Sequence, residues 1–201
     1  MKHGGFTLWE LLVALLVIGV VLGLGIPNFS QFSRNSDMAS AVNALVSAVH
    51  LSRTEAVKRS VPVTLCATAT PLAATPVCDG GNGGFVAFTD TQNTDADVDL
   101  EGNGAFDGAD EILLRRPRPA EQITTSIEGP GVLRIAPNGY MSQQAASMTR
   151  VLYCDERGNV AGFGGESVAR VVVISPTGRP QSLKGTGDVA AFTADTGAYC
   201  P

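Results

Sequence analysis

Glu10 is the acid whose surroundings ask for chemistry. It lies in Phe6–Ile26, FTLWELLVALLVIGVVLGLGI, where only Thr7 and Glu10 are strongly polar. An ionised carboxylate near the start of a membrane helix costs several kcal/mol unless a cation pairs with it, so either a partner shields it in an ion pair or it rests at the lipid–water interface. The four cysteines, Cys66, Cys78, Cys154 and Cys200, offer oxidation chemistry. None forms a C-x-x-C pair and no histidine lies near them, which argues against zinc and for disulfides in an oxidising compartment. The preferred pairing joins Cys66 to Cys78 around a Pro/Ala/Thr loop and Cys154 to Cys200 at the tail. Free buried thiols are the alternative.

Two charged groups suggest ligands. Asp95, Asp97, Asp99 and Glu101, followed by Asp107, Asp110 and Glu111, form an acidic stretch able to offer oxygen ligands to Ca²⁺. The stretch departs from an EF-hand loop in having neither Gly at the sixth position nor Glu at the twelfth. The plainer reading is a solvated loop whose charges blunt a sheet edge. Arg115, Arg116 and Arg118 are the dense basic cluster, and Arg179 and Lys184 lie nearer the C-terminus. With so few phosphate contacts, any DNA binding through them is expected to be weak and salt-sensitive. An enzyme is not expected. There is no G-x-S-x-G, no phosphate loop in a strand–helix context and no histidine-rich metal spacing, the histidines being His3 and His50. No cofactor other than calcium is suggested.

The elements that carry these residues follow from periodicity. As a helix, residues 6–26 span roughly 30 Å, the thickness of a bilayer core. No small-residue cleavage site of the A-x-A kind follows the apolar run, so an ordinary secretory signal is disfavoured. Pro27 marks an expected bend, after which the helix resumes over 28–59. Met38, Val42, Leu45 and Val49 recur at 4-3-4 spacing, a stripe suited to packing on a sheet, with Ser40, Asn43, Ser47 and Lys58 on the solvated side. His50 reads as a surface or boundary residue. Ser60-Val61-Pro62 ends the helix. Beyond it, seven short runs rich in branched residues read as strands: 61–67, 84–90, 111–117, 123–128, 132–137, 149–155 and 168–176. Turn residues such as Pro137-Asn138-Gly139 and Pro176-Thr177-Gly178 separate them. The expected fold class is α+β, one long helix leading into an antiparallel β head, with an irregular tail over 184–201. The net charge is −5, and loss of Met1–Gly5 would remove Lys2 and deepen it to −6, which gives no overall attraction to nucleic acid or anionic membranes.

Gly5-Phe6-Thr7-Leu8-Trp9-Glu10 ahead of a long apolar helix resembles the class III signal of type IV prepilins and pseudopilins. The phrases SRTEAVKRSVPVTLC, FTDTQNTDADVDLEGNGAFDGADEILLR and RVLYCDERGNV…ARVVVISPTGRP resemble the GspH/FimT branch of that family. The resemblance implies a leader at 1–5, a transmembrane and assembly helix at 6–27, an amphipathic helix at 28–60 and a β-rich head at 61–201. It also implies cleavage after Gly5 by a membrane prepilin peptidase and methylation of Phe6. Glu10 would then pair with the N-terminal amine of a neighbouring subunit. The implied function is a minor type IV pilin that helps initiate or cap the pilus, or a minor pseudopilin of type II secretion. Implied partners are other major and minor pilins and the inner-membrane assembly machinery. The implied location is the bacterial inner membrane, single-pass with a periplasmic head, and then the pilus or pseudopilus. Some relatives bind DNA through G-R-x-R. Here Gly178-Arg179-Pro180-Gln181 lacks the second arginine, leaving Arg179 with Lys184, Arg115 and Arg116 as the DNA-binding candidates.

Overall fold

The structure is a computed structural model that describes residues 5, 7–82, 84–91, 102–142, 147–162 and 164–200, with residues 24–28 described in backbone only. The chain divides inside its first helix into two units, Met1–Asp37 and Met38–Pro201.

Helix α1 runs over Leu8–Arg59. The backbone stays helical through Pro27, so the helix continues there rather than stopping and resuming. A proline forfeits one i→i−4 hydrogen bond, and the residues on either side keep the helix going. In the first unit, the described side chains from Thr7 to Gly23 are all exposed. Among the described residues no helix is long and apolar enough to cross a membrane. The described apolar side chains, Leu8 to Gly23, account for about 24 Å of helix against a hydrocarbon core of about 30 Å.

In the second unit, Ser60 takes a left-handed conformation (φ 55°) and Pro62 follows, which together stop α1. Among the described residues eight strands follow: β1 (Val63–Ala67), β2 (Gly84–Thr89), β3 (Ile112–Pro117), β4 (Thr124–Ile127), β5 (Val132–Ile135), β6 (Arg150–Cys154), β7 (Arg170–Ile174) and β8 (Pro180–Leu183). They form two four-stranded sheets, ordered β3-β2-β1-β5 and β4-β6-β7-β8, with every pairing antiparallel. The seven expected strands are present. The eighth was missed because Pro180-Gln181-Ser182-Leu183 is polar and opens on a proline. Such a segment is tolerated on a sheet edge, where β7 supplies its pairing.

The side-chain alternation of a strand assigns each sheet its layers. Val63, Leu65 and Ala67 of β1, with Phe85 and Ala87 of β2, join Met38, Val42, Leu45 and Val49 of α1 in the main core. The 4-3-4 stripe is therefore buried as expected, while Ser40, Asn43, Ser47, Lys58 and His50 are exposed. Cys66, Val86 and Phe88 point to the opposite face, where Cys78 and Phe106 cover them. Phe88 and Phe106 meet edge to face at 5.4 Å between ring centroids.

The tail corrects the expectation of irregular chain. Residues Thr186–Thr196 form helix α2, which buries Val189 and Phe192 against Leu152, Cys154, Ala169 and Val171. Asp188 sits in its first turn and Gly197 closes it in a left-handed conformation, donating its N–H to the Thr193 carbonyl. Both disulfides take the preferred pairing. Cys66–Cys78 has a Cα separation of 5.4 Å and Cys154–Cys200 one of 5.8 Å.

Candidate functional site

At the start of α1, the Thr7 N–H donates to Glu10 Oε2 at 2.9 Å and the Thr7 hydroxyl donates to the same oxygen at 3.0 Å. In return, the Glu10 N–H donates to Thr7 Oγ1 at 3.3 Å. The arrangement is a capping box: a threonine just before the helix and a glutamate in its first turn satisfy each other's orphan donors. It places a carboxylate at the positive end of the helix dipole. The T-x-x-E spacing was readable in the sequence, and the reading of Glu10 as an isolated membrane acid passed over Thr7. In the single subunit, then, Glu10 is satisfied locally by Thr7.

Gly5 is not demanded by the fold. A Cβ there would meet nothing within 4 Å, and its backbone is not in a glycine-only conformation. Phe6 lies outside the described residues. Downstream, Leu8 and Trp9 are 77% and 72% exposed, and the apolar side chains behind them are exposed as far as they are described.

Two family models match. One, described as the prokaryotic N-terminal methylation motif, covers residues 1–26. The other, described as type II transport protein GspH, covers residues 41–178. The chain belongs to the GspH family. Its members are pilin-like structural subunits, and this chain has the long N-terminal helix and antiparallel sheets of that α+β class. Two crystal structures of the Pseudomonas aeruginosa type IV minor pilin FimU, in space groups P21 and P65, are similar to it at 18% and 16% identity. They cover 85% and 81% of this chain and 96% of each FimU chain, with TM-scores of 0.46 and 0.44. No curated protein matches the chain.

The other candidates of this GspH-family chain do not converge. Asp95, Asp97, Asp99 and Glu101 lie outside the described residues, and among the described residues no cluster of three or more metal-ligating side chains is formed. Asp107 and Asp110 serve the adjoining loop: Asp110 accepts from the Thr91 N–H at 3.1 Å and the Asp107 N–H at 3.1 Å. The basic residues are split between the sheets. Arg115 and Arg116 are on β3 of the first, whereas Arg179 precedes β8 of the second and Lys184 follows it. Arg115 donates to the carbonyls of Pro71 (2.7 Å) and Ala73 (2.5 Å), so it staples the Cys66–Cys78 loop. Lys184 pairs with Glu166 at 3.4 Å. Arg179 is exposed in the β7–β8 turn.

Sequence reasoning also missed Asp90, which is fully buried. Its carboxylate accepts from the Thr64 hydroxyl at 2.6 Å, the Asn103 N–H at 2.8 Å and the Gly104 N–H at 2.7 Å. Burial pushes its carboxyl above the ordinary value, and these three bonds oppose the shift. The residue ties the end of β2 to β1 and to Asn103 and Gly104.

Proposed function

We propose that this GspH-family chain is a minor structural subunit of a type IV pilus, trimmed after Gly5, methylated on Phe6 and assembled through α1. The observation that carries the reading is the union in one chain of a methylation motif at 1–26 with a GspH region at 41–178. Geometry supports it. Among the described residues nothing covers the apolar start of α1, and burial of such side chains stabilises by roughly 25 cal/mol per Å². Lipid supplies that burial before assembly and the helices of neighbouring subunits supply it afterwards. The residue at the cut is glycine although the fold leaves room for a side chain, which fits recognition by a peptidase. On processing, the new amine of a neighbour replaces Thr7 as the partner of Glu10, and the packed helices screen the pair from water.

A second reading, a minor pseudopilin of type II secretion, uses the same geometry and is favoured by the description that the matching family carries. Crosslinking in the native envelope separates the two readings by the identity of the captured subunits. Processing itself is tested by mapping the N-terminus of the mature chain by mass spectrometry. A methylated Phe6 is expected, and a product that starts beyond Pro27 would overturn the proposal.

A further inference from the structure

We infer that the face built by Arg53, Val57 and Tyr140 docks a carboxylate-bearing, apolar-flanked loop of a neighbouring filament subunit. The inference rests on the filament reading above and names a contact surface for it outside the N-terminal helix end.

His50, Arg53 and Val57 follow one another at three- and four-residue spacing and so share a face of α1. Two turns close against that face. One is 136–140, where the Gly139 N–H donates to the Ala136 carbonyl at 2.8 Å. The other is 175–179, where the Gly178 N–H donates to the Ser175 carbonyl at 2.8 Å. The Met141 N–H links them through the Pro176 carbonyl at 3.0 Å. Gly139 and Gly178 are buried with φ of +80° and +69°. A Cβ on Gly139 would stand 3.0 Å from Val57 Cγ2 and 3.2 Å from Arg53 Nε. One on Gly178 would stand 3.0 Å from the Gly139 carbonyl oxygen and 3.7 Å from Arg53 Cδ. The absence of side chains at both turns is what lets the Arg53 stem lie across them.

The result is a cation whose stem is packed while its charge is unspent. Arg53 is half-buried, and among the described residues its guanidinium makes no hydrogen bond or ion pair. Val57 and Tyr140 beside these turns are each 51% exposed, and Arg179 adds a second exposed cation next to Gly178. A guanidinium whose stem packs on two glycine turns, beside Val57 and with Tyr140 next in the chain to Gly139, combines the residue types of an interface anchor. Its charge calls for a carboxylate. Two cations on a chain of net charge −5 neutralise few phosphates, which favours a protein loop over DNA.

The test uses the full chain in the native envelope, with Tyr140 replaced by a photo-reactive phenylalanine analogue. The expected product is a crosslink to another filament subunit through a peptide that contains Asp or Glu. Arg53→Glu should lower its yield about tenfold, and replacing the captured carboxylate with Arg should restore it. Tyr140→Ser, at an exposed position, serves as a second variant and should lower co-purification of the same subunit by a similar factor. A yield indifferent to Arg53→Glu in a protein of unchanged melting temperature overturns the inference. So does a captured peptide without a carboxylate, or a crosslink to DNA. Recovery of the unsubstituted chain in sheared filaments is scored in parallel. If it is missing, the filament reading falls and takes this surface with it. If it is present while the crosslink is indifferent to charge, only the docking surface falls.

Discussion

Asp90 and Glu128 are both carboxylates at strand ends, and their surroundings push them in opposite directions. Burial raises Asp90, whereas Glu128 is held down at about 2, chiefly by hydrogen bonds from Arg150 at 2.6 and 2.8 Å. An amide at position 90 offers one acceptor oxygen where two carboxylate oxygens take three donors. Asp90→Asn should therefore destabilise the second unit by about 1–3 kcal/mol in urea unfolding. For Glu128, a depressed value means that the Arg150 bond contributes fully above pH 4.5 and is lost as pH falls toward 2. The pair is partly solvated, so Glu128→Gln should cost only ~1 kcal/mol at neutral pH, with the difference from wild type vanishing near pH 2. Neither role was legible in the sequence. Asp90 follows GFVAFT as an ordinary turn residue would, and its Thr64 partner lies 26 residues away. Thr7–Glu10 was legible, because both members of the capping box fall within one helical turn.

At the scale of elements, what could be read was what announces itself by local period. The stripe Met38, Val42, Leu45 and Val49 specified its buried face directly, and runs of branched residues between glycine-rich turns marked seven strands. Helix α2 carries only two buried apolar residues, Val189 and Phe192, amid Gly, Thr and Ala, so its pattern is too short to stand out. Tertiary contacts hold it in place. Phe192 packs on the second sheet and lies 5.5 Å beneath the Arg150 guanidinium, Arg150 also pairs with Asp195 at 2.9 Å, and Cys200 ties the chain to Cys154. Phe192→Ala should cost about 3–5 kcal/mol. Replacing both Cys154 and Cys200 with Ala should remove about 2–4 kcal/mol. Hydrogen exchange should then show faster exchange in 186–196 than in α1.

At the scale of the whole molecule, the second unit buries its apolar side chains in cores on both sheets, whereas the described apolar side chains at the start of α1 are exposed. The proposed reading puts assembly at the N-terminal end and leaves secondary contacts, such as the Arg53 face of α1, to the second unit. The most direct measurement is the amount of this subunit in sheared filaments, quantified by mass spectrometry for wild type and Glu10→Val at matched membrane levels. The account predicts that wild type is recovered there and that Glu10→Val is depleted at least about tenfold, the consequence of leaving a neighbour's amine without its carboxylate. Equal recovery of the two chains would contradict it.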